Sequence, residues 1–123
     1  IIVLDMGDKF AVSGSDRSDI YLKEAAIHAR NIAKKYNCAI IWMSQLSAEA
    51  EGKINVNQSM LEGSKTGKAA EADLMLLISK NPEIEGQDSN DPQRHIRLAK
   101  NKLTGWHGTV HVELDVETGR YSA

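Results

Sequence analysis

Two uninterrupted apolar runs, residues 1–4 (Ile-Ile-Val-Leu) and 38–43 (Cys-Ala-Ile-Ile-Trp-Met), flank a single amphipathic segment, and that order admits few folds. A short apolar run without alternation reads as a strand buried on both faces. Between the runs, Leu22, Ala25, Ala26, Ala29, Ile32, Ala33 and Tyr36 recur every three or four residues. Lys23, Glu24, Arg30, Lys34 and Lys35 fall on the other side. This spacing predicts a helix over 18–36 with one apolar face. The Ser-Gly-Ser-Asp cluster before it offers caps, and Asn37 is placed to close it. Strand, helix and strand in this order form a βαβ unit, with parallel strands and a right-handed crossover.

The pattern then changes. Residues 47–67 show no sustained periodicity and are rich in Gly, Asn, Ser, Glu and Lys. A connection of this length is commonly functional, and with few core-forming residues it is expected to be mobile. A helical turn over 68–72 and a strand over 73–79 follow, then a polar surface loop over 81–93. Ile96 and Leu98 alternate with Arg97 and Lys100, and Val110, Val112 and Leu114 alternate with His111, Glu113 and Asp115. Period-two alternation predicts half-exposed strands, here an antiparallel pair joined through 103–108, with 117–119 as a closing turn. The fold class is α/β, a mixed sheet with parallel core strands and an antiparallel edge hairpin.

Three features could carry chemistry. Asp5 ends an apolar strand, and in α/β sheets ligands bind beyond the carboxyl ends of the strands, where an acid can hold magnesium through water. Any strand can also end in an acid at a turn. Gln45 follows the second apolar run, on the same side as Asp5, where a neutral amide can hydrogen-bond a terminal phosphate; a loop cap uses the same residue. Arg94, His95, Arg97, Lys100, Lys102 and His107 form a stretch free of acids. Such runs are usually a solvated face, yet Lys100 and Lys102, placed on one side at a strand tip, suit phosphate contact. Trp42 reads as packing, and Trp106, between two glycines, as an exposed interface residue. The four His show no ligand spacing, and Cys38 reads as a small buried hydrophobe in a reducing compartment. A net charge of −2 argues against a DNA-coating protein, though not against one that threads DNA through a pore lined by a few basic loops. No apolar run reaches the length of a membrane span.

In order and spacing, Ile1-Ile2-Val3-Leu4-Asp5, the helix, Ile40-Ile41-Trp42-Met43-Ser44-Gln45-Leu46, Leu61-Glu62-Gly63-Ser64, Lys68-Ala69-Ala70-Glu71-Ala72-Asp73-Leu74-Met75 and Leu98-Ala99-Lys100-Asn101-Lys102-Leu103-Thr104-Gly105 resemble the RecA-like motor of DnaB-type hexameric replicative helicases. Phage helicases and primase-helicases look most similar. The resemblance covers nearly the whole chain and identifies residues 1–123 as the C-terminal part of that motor, a fragment that starts at the Walker B strand. It implies ATP and magnesium as cofactors, with Asp5 as the Walker B acid and Gln45 as the phosphate sensor. The 47–67 loop would line a central channel and touch single-stranded DNA, with Lys53, Asn55, Asn57 and Lys65 as contacts. Lys100 and Lys102 would reach the nucleotide of the neighbouring subunit in a homo-hexamer, in a bacterial or phage-infected cytoplasm. Two departures and one absence stand out, the stretch before Asp73 being slightly longer than in bacterial members. Lys102 takes a place where the family often has arginine, a point charge for a bidentate fork. No Gly-x-x-x-x-Gly-Lys-Ser/Thr phosphate loop occurs; Gly63 to Lys68 only echoes it. The fragment alone is therefore expected to be inactive. A RecA-type recombinase or repair ATPase, and a non-catalytic α/β assembly module, are the alternative readings. The 8–18 loop, with Lys9 and Arg17, is the second candidate for DNA contact.

Overall fold

In the computed structural model, residues 1–9, 18–62, 67–82 and 91–123 are described. The elements are β1 (Ile2–Leu4), α1 (Ser18–Tyr36), β2 (Ile40–Trp42), α2 (Gly67–Glu71), β3 (Leu74–Lys80), β4 (Gln93–Asn101), β5 (Gly108–Asp115) and β6 (Arg120–Ser122), with 3-10 turns at Gly7–Lys9, Ala48–Ala50 and Gln58–Met60. The mixed α/β class holds, with the strands distributed over a parallel pair, β1-β2, and an antiparallel sheet, β3-β4-β5-β6. The chain divides into two units, Ile1–Ser47 with Gln58–Ala72, and Ala48–Asn57 with Asp73–Ala123.

The first unit is the βαβ unit. Ile2, Val3 and Leu4 pair in register with Ile40, Ile41 and Trp42. The expected helix bounds are met, and Asn37 adopts the left-handed conformation (φ 48°) that lets the Cys38 N–H reach back to the Ala33 carbonyl at 3.0 Å. That is a Schellman closure, with Asn in the place glycine usually takes. α1 buries Leu22, Ala25 and Ala26 and packs on α2. Arg30 fastens α2 by donating to the Glu71 carbonyl and lying 3.8 Å from its carboxylate. Burial on both faces of the first strands is not what the structure has: Ile1, Val3, Ile41 and Met43 are exposed. Two three-residue strands paired with each other offer each other hydrogen bonds, not cover. Cys38, likewise, is only half-buried.

In the second unit the antiparallel pair grows to four strands. β3 pairs with β4 from Leu74↔Asn101 to Lys80↔Arg94, with an irregularity between Met75 and Leu76, and β5 pairs with β4 from Gln93↔Glu113 to Leu98↔Gly108. β4 begins three residues before Ile96, taking in Gln93 from the expected loop, and β6 follows the closing turn. That turn is built by Asp115, whose carboxylate accepts from the Thr118 hydroxyl and from the Glu117 and Thr118 backbone N–H groups; these bonds hold it below the usual carboxylate range. Leu77 is buried on one sheet face, while Leu74, Leu76, Ile78 and Val110 are exposed.

Residues 48–57 depart from the mobile, partnerless segment expected of them. Glu51 N–H bonds the Ala48 carbonyl and Lys53 N–H the Ala50 carbonyl, both at 3.1 Å. Val56, only 1% exposed, is the largest fully buried side chain among the described residues. Val56 and the buried Ala50, with backbone bonds between them, anchor a segment that shows no periodicity at all.

Candidate functional site

The parallel pairing of β1 and β2 brings Leu4 opposite Trp42, so the chain leaves both strands at the same end. Asp5 follows directly from β1 and is exposed, and Gln45 lies three residues beyond β2 and is exposed. The expectation that both stand beyond the carboxyl ends of parallel strands is met at the level of the backbone. The Gln45 carbonyl accepts from Glu62 N–H at 3.2 Å, the Ser47 N–H donates to the Met60 carbonyl at 2.7 Å, and Leu46 bridges Leu61. Gln45 is therefore on a short antiparallel stem, which holds its backbone while leaving its amide to solvent. Among the described residues no group of three His, Cys, Asp or Glu side chains could hold a metal. One exposed carboxylate fits magnesium held through its water shell and a ligand's phosphates, the usual manner for this ion.

Beside this strand end is a cluster that motif reasoning passes over. Gly7 lies against the Trp42 ring, where a Cβ would come within 2.3 Å of the indole. This close approach lets Trp42 Nε1 donate to Asp8 Oδ1 at 2.9 Å. Ser44 Oγ donates to Asp8 Oδ2 at 2.6 Å. Lys68, only 7% exposed, closes the cluster: its ammonium is 2.9 Å from Asp8 Oδ2 and 2.7 Å from Ser44 Oγ. Burial pushes the Asp8 carboxyl up, but hydrogen bonds from Ser44, Lys68 and Trp42, with the lysine charge, together hold it below the usual range. The network ties β2's end to α2 and fixes the residue just before Gln45. Sequence held one signal for it: Asp8 and Lys68 each lie within three residues of a motif, with the polar Ser44 between Met43 and Gln45.

In the second unit, only the first of the two lysines expected at a strand tip lies within the strand. Lys100 is in β4, whereas the strand ends at Asn101 and Lys102 is in the turn beyond. Asn101 shapes the turn. Its Oδ1 accepts from the Leu103 and Thr104 N–H groups at 3.0 and 3.1 Å, and its Nδ2 donates to Thr104 Oγ1 and the Trp106 carbonyl. Gly105 supplies the positive φ (73°) that the turn needs. Lys102 N–H donates to the Asp73 carbonyl at 2.9 Å, and its ammonium is 3.7 Å from the Asp73 carboxylate. Both partners are more than a third exposed, so that pair contributes at most about 1 kcal/mol and can be exchanged for a better anion. Trp106 is exposed as expected.

Of the residues implied as DNA contacts, Lys53 and Asn55 are exposed on the anchored 48–57 segment and Asn57 is half-buried. Lys65 lies outside the described residues, as do Arg17 and most of the 8–18 loop. The histidines hold a further polar chain: His95 Nδ1 is 2.7 Å from His111 Nδ1, His95 Nε2 is 2.8 Å from Asn81 Oδ1, and Asn81 Nδ2 donates to Asp91 at 2.7 Å. The Asp91 carboxylate can only accept, which fixes the Asn81 amide and makes its Oδ1 the acceptor for His95.

No family model matches the chain. A protein described as a probable replicative DNA helicase from Trieres chinensis is 28% identical over 96 residues, covering 75% of this chain. The chain spans 21% of that relative's length. Among solved structures, one described as an ATPase domain matches with a TM-score of 0.75 at 18% identity, over 90% of this chain and 39% of that one. A DnaB-like replicative helicase, solved with its interactions with primase, matches with a TM-score of 0.76 at 18% identity, over 98% of this chain and 29% of that one. No helix among the described residues is long and apolar enough to cross a membrane. Sequence and structure thus point to one group, and the chain carries the fold of the ATPase domain of DnaB-like replicative helicases.

Proposed function

We propose that residues 1–123 are the C-terminal part of an ATP-driven motor that translocates on single-stranded DNA and unwinds duplex during replication. The observation that carries this reading is the placement of Asp5 and Gln45 at the same end of two in-register parallel strands, in a chain with this fold. Asp5 orders the water shell of magnesium, and Gln45 registers the terminal phosphate of ATP, passing its loss to the segment that follows. Lys53, Asn55 and Asn57, with Lys65, meet the DNA backbone. Lys100 and Lys102 stabilise charge on the nucleotide of the neighbouring subunit in a homo-hexamer working in the cytoplasm. The phosphate loop, which this sequence lacks, is supplied by a further part of the protein. Positioning and charge stabilisation of phosphoryl transfer need that loop.

The test compares the 123-residue chain with the full-length protein. The chain alone is expected to show no ATP turnover, and the full-length protein a DNA-stimulated ATPase that Asp5→Ala abolishes. Turnover by the chain alone, lost in Asp5→Ala, would overturn the division of the site. A full-length protein whose ATPase is indifferent to single-stranded DNA would remove the helicase reading.

A further inference from the structure

We infer that Arg97 is a positioning residue for DNA contact, holding the 48–57 segment to the sheet in the form in which Lys53 and Asn55 face outward. The inference rests on the reading of that segment as the DNA contact, but on different atoms. Arg97 is in the middle of β4, opposite Leu77 on β3 and Thr109 on β5. An arginine at such a position ordinarily carries its guanidinium out to solvent. Here the side chain is half-buried and Nη1 donates to the Val56 carbonyl at 3.2 Å. From β3, the Ser79 hydroxyl donates to the Ile54 carbonyl at 2.6 Å. Two side chains of two adjacent strands thus take two alternate carbonyls of one segment.

These ties, not strand alternation, set the segment: Ile54, like Lys53 and Asn55, is exposed, and only Val56 turns inward. With Ile54 and Val56 tied through their carbonyls, and the Val56 side chain buried beneath, the exposed Lys53 and Asn55 are presented at fixed positions. A segment closed at both carbonyls has little freedom left to lose when it meets a ligand, which is the energetic gain of preorganisation. Arg97 is also three residues from Lys100 on the same strand, so a shift of β4 along its length carries the Val56 carbonyl with it. Arg97 thus links the 48–57 segment to the strand that carries Lys100. Arginine suits the post because it stays charged and reaches a carbonyl with a planar donor set that lysine lacks.

The experiment uses the full-length protein and a single-stranded oligonucleotide, measuring binding across a salt series and DNA-stimulated ATPase for Arg97→Ala, Arg97→Lys, Ser79→Ala, Lys53→Ala and the Arg97→Ala/Lys53→Ala double variant. Arg97→Ala is expected to weaken DNA binding about tenfold, the scale of one charged hydrogen bond, and to raise the KM for DNA while kcat at saturating DNA changes less than about twofold. Lys53→Ala lowers the salt slope by about 0.7, one phosphate contact. The double variant is expected to lose no more than the larger single loss, since Lys53 depends on Arg97 for its position. Additive losses, or DNA binding unchanged in Arg97→Ala while Lys53→Ala weakens it, would overturn the inference and leave the DNA segment standing. Unchanged binding in Lys53→Ala would instead sink the DNA assignment itself. Should Arg97→Ala fail to assemble, Arg97→Lys and Ser79→Ala decide: non-additivity of either with Lys53→Ala supports the inference, and full additivity of both refutes it.

Discussion

Replacing Lys68 by methionine keeps most of the side chain's volume and removes its charge, which isolates what the ammonium does. It leaves the Asp8 carboxylate, 16% exposed, without its counter-charge and with two neutral donors, Ser44 and Trp42. Breaking a buried ion pair from one side costs about 3–5 kcal/mol. Because Asp8 keeps those two donors and some water, the lower end applies, about 3 kcal/mol. The cost should not be read as the strength of the pair, since most of it is the stranded carboxylate. Hence Asp8→Asn in the Lys68→Met background should restore most of the loss, because a neutralised pair is often no worse than the charged one. Denaturant unfolding followed by Trp42 fluorescence measures this, and Trp42 reports the cluster itself through its bond to Asp8. The pH dependence has a definite sign. The folded Asp8 carboxyl is held below its ordinary value. Its stabilisation is therefore complete above the unfolded carboxylate pKa of about 3.9 and is lost as pH falls below that, through the folded value. In Lys68→Met this acid-side loss should shrink. A Lys68→Met stability within about 0.5 kcal/mol of wild type (the scatter of a neutral surface change) would show that the cluster is solvated in solution and would refute the reasoning.

Other outcomes follow from the remaining geometry. In the full-length protein, Lys102→Ala should reduce DNA-stimulated ATPase while size-exclusion shows the assembly intact, and by less than the ~10³-fold or more that trans-acting arginines supply; an unchanged rate shifts the role to Lys100. Gln45→Ala should keep nucleotide affinity in a binding titration yet lose strand separation, because its backbone stem with Glu62 does not need the amide; normal unwinding would reduce Gln45 to a loop residue. Asn101→Ala removes three bonds to backbone groups and one to a side chain at the β4 tip. It should cost roughly 1–3 kcal/mol of stability and speed amide exchange at Leu103 and Thr104, and unaltered exchange there would count against the Asn101 turn.

The periodic parts of the chain were legible because local pattern and tertiary burial agree there. Leu22, Ala25 and Ala26 recur at helical spacing and are the residues α1 buries; Ile96 and Val110, read as strand residues from alternation, lie opposite each other in the sheet. Burial itself was less legible. Apolar runs predict covered strands, but cover comes from other elements, and Val3, Ile41, Leu76 and Ile78 have little of it here. The reverse error falls on 48–57, where composition predicts a segment without partners. Val56 is one residue among polar neighbours, and neither its burial nor the two carbonyl contacts beside it leave any periodic trace.

The candidate site divides along the same line. Strand-end residues such as Asp5 and Gln45 can be placed from sequence because a strand's end and a parallel partner suffice to define where they stand. The Asp8, Ser44 and Lys68 cluster cannot, since it joins residues up to sixty positions apart, and a lysine's burial depends on which acid the fold brings to it. Lys102 shows why the difference matters for mechanism. Alternation put it beside Lys100; the Asn101 turn instead sets it beyond the strand, next to Asp73. A charge on a strand's pleat is fixed by its neighbours, whereas one in a turn, half-exposed and paired to an exposed acid, can leave that acid for a phosphate at small cost. Asp73→Asn should therefore remove one restraint on Lys102 rather than disable it. DNA-stimulated ATPase at limiting ATP should hold or rise in Asp73→Asn and fall in Lys102→Ala, and a fall in both would mean that Lys102 works while paired to Asp73.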